Sequence, residues 1–149
     1  MKQVSIDTGD LKDIFLEFLL ARSIISIASQ RFGLRRARVM TSCVDVMNED
    51  MRGTIDEALS EGRISNQQYV RIEQTDYILR ARRQQNGSEI WIALEASYTV
   101  GSEDIDRAKE SAAVLGVLYG SPVIAAVAGR SIPPDLEERA ELAGVQAMI

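Results

Sequence analysis

The sequence predicts a single domain of the α/β class. Apolar residues recur at helical spacing through the first half of the chain, and residues alternate in character on both sides of Asn86-Gly87. A helical stripe after that hairpin then leads into the unbroken apolar run Val123–Ala128. At 149 residues the chain has the length of one compact domain, able to bury about two-thirds of its surface on folding.

Asp10 can cap a first helix over about Leu11–Ala28, where Leu11, Ile14, Phe15, Phe18 and Leu19 form the apolar stripe. Gly33 interrupts that helix or follows it. The basic stretch Arg31, Arg35, Arg36 and Arg38 comes next, with a short extended piece at Ala37–Thr41. Val44, Met47, Met51, Ile55 and Leu59 predict a second helix ending at Gly62. Ser65 starts a third, running to about Gln74, with Gln68 placed for a capping box. Residues 1–64 are thus expected to be mainly helical.

At Asp76 the period changes to two. Asp76–Arg82 and Ile90–Ser97 read as strands, and Asn86-Gly87 as their turn. One face carries Tyr77, Leu79, Ala81, Ile90, Ile92, Leu94 and Ala96 and should pack on a helix. The other carries Asp76, Ile78, Arg80, Arg82, Trp91, Ala93, Glu95 and Ser97. If Asn86-Gly87 are the two central turn residues, Ser97 lies opposite Asp76 and Glu95 opposite Ile78. Asp76 and Glu95 are then diagonal neighbours, roughly 7–8 Å apart between backbones, and one metal ion is within reach of both. A one-residue slip would bury the charges, so the sharing of a face is better determined than the turn type.

Ser102 can cap the next helix, with Glu103 and Asp104 at its positive end and Ile105, Ala108, Ala112, Leu115 and Tyr119 as its stripe. Gly120 and Pro122 end it. Val123–Ala128 is expected as a buried central strand, Pro134 as the first turn of a short helix before Gly144, and Val145–Ile149 as an edge strand.

Composition removes several chemistries. There is no histidine and only one cysteine, Cys43, so imidazole-based triads and internal disulfides are excluded. Hydrolysis would have to run on carboxylates with a metal, Lys or Arg. A net charge of −5 argues against general binding of nucleic acid but leaves room for a local basic patch. No apolar run reaches membrane-spanning length and the N-terminus lacks an apolar signal core, so a cytoplasmic protein with no membrane partner is expected.

The order Asp76, hairpin, Glu95-Ala96-Ser97, helix, buried strand resembles the PD-(D/E)XK nuclease superfamily. In that family an aspartate opens one strand and a (D/E)-x-K triplet ends the next. The segments Trp91–Val100 and Glu103–Ala108, with the strand end Val127-Ala128-Gly129, are similar to a prokaryotic branch that has Glu-x-Ser in place of Glu-x-Lys. The resemblance covers about Ser65–Ile149. It implies a restriction endonuclease-like αββαβ core, a mixed sheet flanked by helices. It also implies Mg2+ or Mn2+ on Asp76 and Glu95, and phosphodiester hydrolysis of DNA or RNA in an impaired or altered site. Ser97 stands at the lysine position and Thr75 at the proline position. Lys109 on the following helix is the substitute cation, while Arg35, Arg36, Arg80 and Arg82 are candidates for the nucleic-acid backbone.

A plainer reading stands beside this one. Asp76 and Glu95 could be strand-surface carboxylates paired with Arg80 or Arg82, Ser97 a strand-end hydrogen bonder and Lys109 a solvated helix charge. Trp91 could stack on a base or lie half-buried under a neighbouring segment or subunit. On that reading the chain is a non-catalytic interaction or dimerisation module of the same fold, with a homodimer as the expected assembly.

Overall fold

Alternation along the hairpin gives it one apolar face and one mixed face, and helices pack on both. The computed structural model describes residues 23–42 and 46–148. Helical residues 23–32 (α1) precede β1 (Leu34–Ser42), α2 (Glu49–Ser60) and α3 (Asn66–Glu73). The hairpin β2 (Tyr77–Arg83) and β3 (Glu89–Ala96) follows, then α4 (Ser102–Tyr119), β4 (Val123–Ala128), α5 (Pro134–Leu142) and β5 (Val145–Met148). The five strands form one mixed sheet in the order β1-β2-β3-β4-β5. β2 pairs antiparallel with both β1 and β3, and β4 and β5 are added in parallel beside β3. A parallel neighbour needs a crossover, which α4 supplies between β3 and β4.

The sequence expectations differ from this architecture in several places. The extended piece at Ala37–Thr41 is a nine-residue strand paired to β2, so the N-terminal region contributes a strand as well as helices. The first helix runs on past Ala28 to residue 32, and Gly33, at φ +63°, follows its end. Its expected start at Leu11, and also Cys43, Val44 and Ile149, lie outside the described residues. Gly101 rather than Ser102 caps α4, its N–H donating to Asp104 Oδ2 at 2.8 Å. The capping box on α3 forms as expected: Gln68 N–H donates to Ser65 Oγ at 3.1 Å, and Ser65 N–H donates to Gln68 Oε1 at 2.8 Å.

One sheet face carries Tyr77, Leu79, Ile90, Ile92 and Leu94 against Ile24 and Ala28 of α1. The other, expected to be polar, is covered over its middle. Ile78, Trp91 and Ala93 pack under Met51 and Ile55 of α2, Ile72 of α3, and Leu115 and Leu118 of α4. Trp91 is fully buried and stacks on Tyr119, with ring centroids 4.0 Å apart, so it cannot receive a base. Asp76 and Glu95 are thereby left on one side of Ile78 and Ala93, and Arg80 and Arg82 on the other. Among the described residues, no helix is long and apolar enough to cross a membrane.

Candidate functional site

The hairpin register is what brings the carboxylates together. Tyr77 pairs with Leu94 and Ile78 with Ala93, two residues away from the pairing expected for a two-residue turn. The loop spans residues 84–87, closed by Arg83 N–H donating to the Ser88 carbonyl and Gly87 N–H to the Arg83 carbonyl, each at 2.9 Å. Asn86 Oδ1 accepts from Ser88 N–H at 3.0 Å, and Gly87 takes a φ of +73°. Asn86-Gly87 therefore form the exit of a wider turn rather than its centre. A two-residue shift leaves every side chain on its expected face. It moves the level of Asp76 from Ser97 to Glu95.

Asp76 sits one residue before β2, and its Oδ2 accepts from the Ala96 N–H at 2.9 Å. Its carboxyl group lines the same pocket as that of Glu95 and acts on it. Glu95 is 2% exposed. Burial first, and then the hydrogen bond and charge of Asp76, push the Glu95 carboxyl up to about 9, against the opposing charges of Arg71 and Arg107. A buried carboxyl group beside a second, half-buried one is costly to ionise without a compensating cation.

Arginines stand where the sequence reading looked for a lysine. Arg71 Nη2 of α3 donates to Glu95 Oε1 at 3.0 Å. Arg107 of α4 donates to Asp104 Oδ1 at 2.6 Å. Burial works against the Arg107 charge, but the hydrogen bond and charge of Asp104, with the charges of Glu95 and Asp76, raise its pKa above the ordinary value. Arg71, Asp76, Glu95, Ser97, Asp104 and Arg107 line a pocket of about 320 Å³. Thr75 donates to the Arg71 carbonyl at 3.0 Å and lies 2.8 Å from Ser111 Oγ of α4. These hydroxyls tie the end of α3, the start of β2 and α4 into one frame.

Of the four expected catalytic residues, Asp76, Glu95 and Ser97 meet in this pocket and Lys109 does not. Lys109 is exposed and lies two residues, about 200° of helix, beyond Arg107. Ser97 Oγ donates to the Thr99 carbonyl at 3.1 Å, a strand-end hydrogen bond. Arg36, Arg80 and Arg82 line another pocket at the far end of β2, with Arg35 exposed beside it. Sequence reasoning missed Arg71, Asp104 and Arg107. One signal for two of them was present: Asp104 and Ser111 fall on the same helical stripe as Ile105, Ala108 and Leu115, and a carboxylate on an apolar stripe needs a charged or hydrogen-bonding partner such as Arg107.

Among the described residues, no three His, Cys, Asp or Glu side chains converge as a metal site. Two carboxylates still match the donor set of Mg2+ or Mn2+, because Mg2+ is held by one or two carboxylates and completes its shell with water and phosphate oxygen. Comparison with protein-family models, with curated proteins and with solved structures finds no match to this chain.

Proposed function

We propose that the protein is a nuclease-like phosphodiesterase of the PD-(D/E)XK type, dependent on Mg2+ or Mn2+, in which arginine replaces the missing lysine. The observation that carries this reading is the convergence of Asp76 and the fully buried Glu95 on one pocket with two arginines. Isolated surface carboxylates would not be forced together in this way. The succession α3, β2, β3, α4, β4 adds support, since it is the αββαβ order of the restriction endonuclease-like core.

Asp76 and Glu95 are the residues that would hold the ion. Once bound there, a divalent cation supplies Lewis-acid stabilisation of charge on the scissile phosphate and makes water more acidic. Glu95 must give up its proton to bind the ion, so affinity rises with pH. Arg71 and Arg107 offer forked, permanently charged donors suited to phosphate oxygens. Asp104 orients Arg107 and is itself held by the Gly101 N–H. Ser97 supplies no positive charge.

The hydrogen bond from Arg71 to Glu95 favours a second reading, in which the site is a structural cluster and the chain a non-catalytic module for a protein partner or for its own dimer. The two readings separate in one experiment. The protein is incubated with single- and double-stranded DNA and RNA and with Mg2+ or Mn2+, beside Asp76→Ala and Glu95→Ala. The expected result is cleavage by the native protein and none by either variant. Absence of cleavage together with absence of metal binding by calorimetry sinks the enzymatic reading.

A further inference from the structure

Arg80 and Arg82 lie on the same face of β2 as Asp76, towards the other end of the strand. With Arg36 and Arg38 of β1 they line a pocket of about 250 Å³, in which Glu89 is the only carboxylate among the described residues. This arrangement works against the sheet. Arg38 stands directly across from Arg80 and Arg35 from Arg82. Like charges at opposed positions destabilise paired strands.

Arg36 adds backbone strain. Its φ is 53°, the only positive φ at a non-glycine position among the described residues. It falls in the register break between Arg35 and Arg38, where residues 36 and 37 together face Ala81. A β-bulge of this kind re-aims a side chain, and glycine is the usual residue in the left-handed conformation. Here an arginine takes it and lines the pocket.

Protection of an exposed sheet edge explains charges on β1, the outermost strand. It gives no reason for Arg80 and Arg82 on β2, an interior strand. Glu89 pairs with Arg80 and also accepts from Ser121 Oγ at 2.9 Å. Arg82 donates to the Gly87 carbonyl at 3.0 Å, a partner without formal charge. Guanidinium charge thus exceeds carboxylate charge here, in a protein whose net charge is −5. The two opposed arginine pairs are two residues apart on β2, about 7 Å along the strand, which lays the charge out as a row.

We infer that the Arg36, Arg38, Arg80 and Arg82 pocket is a phosphate-binding site for the backbone of a nucleic acid. A row of arginine forks suits successive phosphates of one chain better than a single free phosphate. The inference goes beyond the hydrolytic reading and stands or falls separately from it, because α2, α3 and α4 pack over Ile78 between the two pockets.

The test is fluorescence anisotropy of a short labelled oligonucleotide over a salt series, with EDTA present so that neither metal nor cleavage contributes. Native protein is expected to bind with log K falling linearly in log salt. Arg36→Gly combined with Arg38→Ala should lower the slope by about 2 and weaken binding about 60-fold near ~0.1 M salt, the effect of two lost phosphate contacts. Arg36→Gly alone suits the left-handed backbone and so keeps the fold, as checked by a circular dichroism melt, while it loses one contact. No oligonucleotide binding by native protein, or the same slope and affinity in the double variant, overturns the inference. Binding of pyrophosphate without binding of the oligonucleotide overturns the nucleic-acid assignment.

Discussion

Replacing Glu95 by glutamine should stabilise the metal-free protein, an unusual expectation for a buried charged residue with an arginine beside it. Glu95 titrates from 4.5 in an unfolded chain and is pushed up to about 9 in the fold by burial and by Asp76. The folded state therefore holds a proton that the unfolded state has lost between those values. Stability falls as pH rises through that window, and this contribution is fully present below the lower value and gone above the upper one. At about pH 7 the shift from 4.5 already costs about 3 kcal/mol, at about 1.4 kcal/mol per pH unit. Glutamine keeps the shape and an oxygen for Arg71 Nη2 but has no proton to lose. Glu95→Gln should therefore raise the melting temperature by about 10 °C near neutral pH in EDTA, for a protein of this size. The assay is a set of circular dichroism melts from acid to alkaline pH for both proteins. The native curve should fall with pH relative to the variant, and Mg2+ should recover the difference at alkaline pH in the native protein alone. A variant that melts lower than native at neutral pH, or a difference that does not change with pH, refutes the reasoning.

Two further expectations concern the frame that holds the site. A Cβ at Gly129 would lie 2.5 Å from the Ser97 carbonyl oxygen and 2.8 Å from Val100 Cγ2. Gly129→Ala should therefore cost about 2 kcal/mol in urea denaturation by forcing the end of β3 away from β4. Unchanged stability would show that this close approach is not required. Ser65→Ala removes half of the capping box on the helix that carries Arg71 and should cost about 1 kcal/mol. Faster amide exchange confined to α3 would accompany that loss.

Much of the secondary structure is legible in single residues and their spacing. Ser65 and Gln68 mark the start of α3, Gly120 the end of α4, and the bulk of Val123–Ala128 a buried strand. Those signals are local: a cap or an apolar run acts through its own few neighbours. The sharing of a face by Asp76, Glu95 and Ser97 was legible for a related reason, since strand parity survives any even shift of register.

What the sequence could not decide was distance across the chain. Asn86-Gly87 is compatible with more than one loop length, and only the fold selects the four-residue loop that levels Asp76 with Glu95. The sequence likewise offered several cations for the site. Helix rotation and packing chose Arg71 and Arg107 and left Lys109 in solvent. It marked the Trp91 face as polar from its charged residues, yet α2, α3 and α4 bury the middle of that face and separate an acidic end from a basic one. The sequence by itself determined which residue types alternate, cap and turn, because those are nearest-neighbour properties. Tertiary structure alone decided which charges meet, because burial and contact depend on elements far apart in the chain.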